Sequence, residues 1–307
     1  MVQENTSSRD SAVPIGLWAG IAAYTIWGVF PVYFKATEQV SALEILAHRI
    51  VWSVPFGLLI IAIRSQFPAV RQALTNPKTV LLLTLAAISL AINWGIYIWA
   101  IQIDQIFQGS LGYYINPLFF VIVGVFFFKE TLTRLQTLAV IFATIGVGIL
   151  TIYGGVFPWI SLSLAFSFGL YGLIRKQVDV GAMPGLLIET IVLLPFAIGY
   201  LYYLSKTGHI VFGPTPEHGG LAISLLMVAA GPITVLPLLC FSVAARKLKL
   251  STLGFLQFIG PTLQFCCGLY YGEPFTTAHA LCFTFIWIAV VMFVWDNIGT
   301  RGKSEGI

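Results

Sequence analysis

The stretch EILAHRIVWSVPFGLLIIAI, Glu44–Ile63, decides the fold. From Leu46 onward it is apolar enough to lie in a bilayer, and its length matches the roughly 20 residues a helix needs to cross one. Yet Glu44, His48 and Arg49 fall within six residues at its start. A charge at the bilayer centre costs about 3 kcal/mol on insertion scales, so such groups face a wet interior, a partner or the interface.

The rest of the chain has the same character. Its 307 residues are 58% hydrophobic and 9% charged, against about a quarter charged in soluble domains. The mean hydropathy is +0.91. This composition predicts an all-α integral membrane protein. Ten transmembrane helices are expected, at about 15–34, 42–63, 79–101, 108–128, 134–152, 158–174, 185–204, 221–244, 253–271 and 276–295. The apolar runs are continuous, not alternating, which disfavours a β-barrel. Residues 1–14, MVQENTSSRDSAVP, lack the basic region and short apolar core of a cleaved signal peptide. They are expected to be a disordered cytoplasmic tail, with residues 299–307 as a second cytoplasmic tail.

With the N-terminus inside, thirteen Lys and Arg residues fall on the cytoplasmic face, only Lys35 and Lys206 fall outside, and Arg49 lies within a span. That is the bias the positive-inside rule demands. It accounts for the net charge of +4 without nucleic acid. Cys240, Cys266, Cys267 and Cys282 lie in apolar segments without CxxC spacing, which reads as core packing, not as a disulfide framework or metal site. There is no GxxxxGK[ST] loop for ATP. No catalytic residue, metal or cofactor is assigned.

The chain repeats itself. RIVWSVPF (Arg49–Phe56) resembles ETIVLLPF (Glu189–Phe196), and Trp27-Gly28 before Lys35 echoes Phe168-Gly169 before Lys176. Ser110–Gly112, Asn116-Pro117 and Lys129-Glu130 find counterparts in Thr252–Gly254, Gly260-Pro261 and Gly272-Glu273. The order is kept at offsets of 140 to 144 residues. Residues 15–152 and 153–298 thus read as two five-helix halves. Five is odd, so the second half inserts upside down, and the two halves meet around a central cavity as in many secondary transporters.

Ten spans in two halves, with AHR in the second, NW in the third and GYYINP…KE across the fourth and fifth, resemble the EamA-type drug/metabolite transporter superfamily. AHRIVWS and INWGIYIWAI (Ile92–Ile101) resemble its RarD branch over residues 14–298. The resemblance implies a bacterial inner membrane, no ATP hydrolysis, and a cavity lined by both halves. The expected function is a secondary transporter of small organic solutes, an exporter working by alternating access. The alternative is an intramembrane enzyme acting on a lipid or isoprenoid, for which Glu44 and His48 would make only a weak dyad.

Within that frame, Arg49 is expected to face the cavity and bind an anionic group, a task that suits a planar guanidinium. Snorkelling to the interface is the competing reading. His48 shares a helix face with Glu44 and is either a titrating group or a packed donor. Glu44 and Glu189 are each candidate proton carriers or interfacial groups, and for Glu189 pairing with Arg175 or Lys176 is a further option. Asn93 divides between substrate binding and interhelical hydrogen bonding. Trp94 and Tyr97 could stack on a flat substrate. Gly109, Gly112 and Pro117 are expected to weaken the fourth span, and Gly260-Pro261 the ninth. That focuses attention on Tyr113, Asn116, Gln257 and Gln264 as cavity residues. Lys129-Glu130 and Gly272-Glu273 are assigned to helix ends.

Overall fold

The computed structural model describes residues 4–129, 131–215, 219–248 and 250–304. Glu130, one of the expected helix-end residues, and Lys249 of the basic cytoplasmic set lie outside the described residues. Among the described residues are thirteen α-helices and no strand. They are α1 (Glu4–Gly28), α2 (Phe30–Ala36), α3 (Ala42–Ile63), α4 (Phe67–Leu74), α5 (Pro77–Gln102), α6 (Ile106–Phe128) and α7 (Arg134–Ile152). After these come α8 (Trp159–Lys176), α9 (Ala182–Thr207), α10 (Gly220–Lys247), α11 (Leu250–Leu256), α12 (Ile259–Tyr270) and α13 (Thr277–Ser304).

Local chemistry sets the ends. Ser41 caps α3 by accepting from the Glu44 amide at 3.3 Å. Asn76 caps α5 by accepting from Lys78 and Thr79, with Pro77 in the first turn, where its missing N–H is no loss. Thr133 and Gln136 form a reciprocal capping box on α7. α9 stops at Gly208, whose φ of +71° is the left-handed cap conformation that glycine adopts without strain.

Among the described residues, eight helical segments are long and apolar enough to cross a membrane: Pro14–Ala36, Ala42–Ile63, Pro77–Gln102, Arg134–Ile152, Ala182–Thr207, Gly220–Lys247, Thr252–Tyr270 and Thr277–Asp296. The chain is a multi-pass membrane protein. α6 (23 residues) and α8 (18 residues) complete the packing. Side chains such as Trp18, Ile63, Ile152 and Phe196 point outward and are largely exposed, as lipid-facing residues must be.

Three features depart from the sequence expectations. α1 begins at Glu4 and α13 runs to Ser304, so helix extends into both polar end segments. Propagating an existing helix adds one hydrogen bond per residue fixed, and that outweighs local polarity. α6 runs unbroken through Gly109, Gly112 and Pro117. Its glycines serve close packing instead: a Cβ at Gly112 would sit 2.9 Å from the Ser161 carbonyl on α8, and one at Gly109 would sit 3.0 Å from the Tyr97 ring. The breaks fall at Val29, between α1 and α2, and at Gln257-Phe258, between α11 and α12, just before Gly260-Pro261.

The bundle is knit by α7 on α13, α1 on α10, α3 on α9 and α10, α5 and α6 on α8, and α12 on α6 and α1. Small residues permit the close crossings. A Cβ at Gly231 of α10 would overlap the Trp52 carbonyl of α3. In the α3–α9 pair, Gly57 faces Leu187, and Ala47 and Ile50 cluster with Ala197. As numbering rises on one helix it falls on the other, so the two are antiparallel.

Candidate functional site

α3 delivers the three polar groups of the opening stretch to the interior. Glu44 is 1% exposed, His48 3% and Arg49 3%. Neither the interfacial-anchor reading of Glu44 nor the snorkelling reading of Arg49 fits this burial. Glu44 Oε1 accepts from the amides of Val211 (2.9 Å) and Phe212 (3.2 Å), so it clamps the connection between α9 and α10. His48 Nε2 lies 3.9 Å from Glu44 Oε1, and its ring sits 4.8 Å from that of Phe212. Both imidazole nitrogens are buried without a hydrogen-bond partner.

Arg49 occupies an aromatic cage. Its guanidinium carbon lies 4.2 Å from the Trp94 ring centroid, 5.6 Å from Phe30 and 5.7 Å from Phe34. Nε donates to Thr234 Oγ1 at 3.1 Å, while Nη1 is buried with no partner. Among the described residues, no carboxylate lies within salt-bridge distance of it. Of the expected cavity residues, Tyr97 is 3% exposed, Asn93 1% and Asn116 7%, so all three are buried.

Helix α5 divides its roles. Asn93 Nδ2 donates to the Leu164 carbonyl and to Ser167 Oγ, both at 3.0 Å, and its Oδ1 accepts from Tyr113 at 3.2 Å. It is an α5–α8 brace, and that role uses its donors and its acceptor. Trp94 turns to Arg49. Tyr97 packs at 5.4 Å on Tyr113 and 5.9 Å on Phe34, with its hydroxyl unpartnered. On α6, Asn116 Oδ1 is likewise buried and unpartnered. Gln264 donates to the Trp27 carbonyl at 3.3 Å and leaves Oε1 unpartnered. Gln257 and Gln264 do not share one helical stripe, because the α11–α12 break separates them.

Glu189 is 1% exposed on α9. Its Oε1 lies 3.4 Å from Arg175 Nε, so the pairing with Arg175 is made, and Tyr171 approaches Oε2 at 3.5 Å. The Arg175 guanidinium rests against Gly185, where a Cβ would come within 2.5 Å of Nη1. Phe30, Phe34 and Thr234 contact Arg49, and Tyr171 and Arg175 contact Glu189; sequence reasoning left all five unassigned to the substrate. A signal for four of them exists: Phe30 and Phe34 stand 141 residues before Tyr171 and Arg175. The two aromatic positions beside Arg49 thus lie 141 residues before the two that contact Glu189.

The EamA-like transporter family matches residues 14–152. A "Protein RarD" of Salmonella typhimurium is 43% identical over 94% of this chain and 97% of its own length, and that of Escherichia coli is 41% identical over 94% and 97%. This chain belongs to the EamA-like family, in its RarD branch. Another RarD relative, from Pseudomonas aeruginosa, is named a chloramphenicol-sensitive protein; it is 31% identical over 92% of this chain and 94% of its own. A crystal structure at 18% identity superimposes with a TM-score of 0.57 over 93% of this chain and 97% of that one, a likeness of fold alone. In this RarD-branch chain, the chemistry available is recognition: the guanidinium groups of Arg49 and Arg175, each with an unpartnered Nη1, a set of flat rings, and single-ended amide and hydroxyl groups. Among the described residues, no three His, Cys, Asp or Glu side chains gather as metal ligands.

Proposed function

We propose that the protein is a secondary transporter of small organic solutes bearing an anionic group, an exporter in a bacterial inner membrane with both termini cytoplasmic. It would work by alternating access between two inverted five-helix halves, residues 15–152 and 153–298, meeting at a central site. The observation that carries the substrate reading is Arg49. A buried cation normally pairs with an anion or neutralises. Here it has aromatic faces and one hydroxyl, with Nη1 unpartnered. An incoming carboxylate would supply the missing partner through paired charge-assisted bonds. The surrounding rings suit a flat or amphipathic body, and Asn116 and Gln264 offer acceptors to its donors.

Packing supports the inverted plan. Exchanging the halves exchanges the pair α1–α10 with α5–α8, and α6–α8 with α1–α12; the pairs α3–α9, α6–α12 and α7–α13 map onto themselves. Such self-mapped pairs are what a two-fold axis in the membrane plane produces. Glycines repeat the relation: Gly28 abuts Leu263, and Gly169, its repeat counterpart, abuts Phe119, the counterpart of Leu263. Sidedness is consistent with ten spans. Lys35 meets Asp104, and Glu273 meets Phe107, on the face assigned outside; Arg64 meets Ser242 on the face assigned inside.

Export is the favourable direction for an anion. Moving one negative charge out of a cell with a negative interior gains about 2.3 kcal/mol per 100 mV. Net export of a monoanion therefore needs no coupled ion, and Glu44, His48 and Glu189 remain the candidate proton carriers should coupling exist. The enzyme alternative is not favoured, because Glu44 is engaged in holding a loop.

The test is uptake of radiolabelled benzoate, a flat monocarboxylate, into proteoliposomes under an imposed potential. A companion panel of amino acids, organic acids and chloramphenicol is read by thermal shift. Potential-driven uptake lost in Arg49→Lys supports the reading. Transport that persists in Arg49→Lys and Arg49→Ala sinks the anion clamp.

A further inference from the structure

Two arginines, Arg49, which is buried, and Arg175, which is half-buried, share an unusual feature. Arg49 and Arg175 each bury an Nη1 that has no hydrogen-bond partner. They are joined by a row of rings: Tyr97 to Tyr113 at 5.4 Å, Tyr113 to Phe168 at 6.0 Å and Phe168 to Tyr171 at 5.8 Å between centroids. Tyr97 stacks edge-on against Phe34 of the Arg49 cage. At the other end Tyr171 reaches Glu189, which Arg175 holds.

The register of α3 against α9 sets the depths. Arg49 lies between Ala47 and Ile50, which cluster with Ala197, whereas Glu189 lies two residues from Leu187, which faces Gly57. Antiparallel register puts Glu189 level with about residue 55 of α3, so at 1.5 Å per residue the two are about 9 Å apart along the helix axis. One guanidinium site thus stands toward the outer face and the other toward the face that carries Arg64 and α4, whose Val70 packs in one cluster with Val178 and Met183.

The inner group is built as a site. Arg175 lies in the slot left by Gly185, and Nη2 donates to the carbonyls of Val180 (3.2 Å) and Gly181 (3.4 Å). Its counter-ion is held loosely. The Glu189–Arg175 contact is 3.4 Å, the Tyr171 contact is 3.5 Å, and Glu189 Oε1 has no hydrogen bond. A carboxylate bound firmly to arginine lies at about 2.7–2.9 Å. Resting on the anion-transport reading above, we propose that Arg175 is a second, cytoplasmic-side station for the anionic substrate, with Glu189 as the resident carboxylate that the substrate displaces. The substrate passes from Arg175 along the aromatic row to Arg49, one anion handing over to another at the inner station. A resident carboxylate keeps the inner guanidinium from being left bare between cycles.

The experiment uses the purified full-length chain in detergent with benzoate as probe, read by titration calorimetry. Glu189→Gln keeps shape and removes the competing charge. The expected result is a gain over the wild type: a second benzoate per chain, or at least tenfold tighter binding. That gain disappears in Glu189→Gln/Arg175→Ala. Equal binding by Glu189→Gln and the wild type, including no binding by either, overturns the inference, and so does a gain that survives the double substitution. A wild type that ignores benzoate while Glu189→Gln binds it would sink the Arg49 reading and keep the inner station. Should the Gln variant misfold, Arg175→Ala supplies the second reading. Potential-driven benzoate uptake into inside-out vesicles is expected to fall more than tenfold, and unaltered uptake overturns the proposal.

Discussion

Arg49→Met separates a binding cation from a structural one. The substitution removes the 3.1 Å hydrogen bond to Thr234 and the contact with Trp94 at 4.2 Å. A hydrogen bond to a charged group contributes about 1.5–3 kcal/mol, and a desolvated cation–π contact about 2 kcal/mol. Against this, the variant no longer holds a charge inside the membrane, a relief of about 3 kcal/mol on insertion scales, and the methionine chain fills part of the aromatic cage for about 1 kcal/mol more. Thr234 is not orphaned, because its hydroxyl also donates to the Ala230 carbonyl at 2.8 Å. The terms nearly cancel, so the melting transition, followed by intrinsic tryptophan fluorescence in detergent, should move by only a few degrees. Benzoate affinity should fall at least about 100-fold, because two charge-assisted bonds of about 1.5 kcal/mol each are lost, and each 1.4 kcal/mol is tenfold. Arg49→Lys keeps the charge without the planar fork and should lose about tenfold. A Met variant destabilised by about 3–5 kcal/mol would mean that Arg49 completes an ion pair in the fold, and a Met variant with unchanged affinity would remove it from the site. Either result refutes the argument.

Other substitutions probe the frame. Asn93→Ala should lower stability by about 1–2 kcal/mol in thermal melts, since it leaves the Tyr113 hydroxyl and two acceptors on α8 without their partner; no loss would return Asn93 to the substrate candidates. Gly231→Ala should be strongly destabilising, because its Cβ would overlap the Trp52 carbonyl, whereas Gly148→Ala, with nothing within 4 Å, should be neutral or stabilise by up to about 1 kcal/mol. Glu44→Ala should speed proteolysis in residues 209–215, whose Val211 and Phe212 amides it holds. Glu273, in the connection between α12 and α13, accepts from the Phe107 amide at 2.9 Å, and burial pushes its carboxyl up to about 7. A raised folded value means that its contribution is fully present below about pH 4.5 and lost as pH rises through 7. The wild type should therefore lose melting temperature relative to Glu273→Gln between pH 5 and 8, and parallel pH profiles would contradict this.

The sequence by itself determined that the chain crosses the membrane many times. Apolar run length and charge content are properties of composition, and a bilayer leaves backbone groups no partner except their own helix. It also carries the collinear matches on which the proposed repeat rests, and it singled out Arg49 and Glu189, because a charge inside an apolar run stands out whatever the fold. Proline and glycine in the fourth span misled. Their effect on a helix depends on what packs against them, and Gly112 against Ser161 turns a weak point into a tight crossing. Only tertiary structure decided that Glu44 clamps a loop, that Asn93 braces α8, and that Arg49 is caged by Phe30, Phe34 and Trp94 while Glu189 meets Arg175. Those pairings join residues up to 168 positions apart. Linear periodicity reports which face of a helix a residue occupies, but the neighbour on that face is set by how antiparallel helices slide and cross.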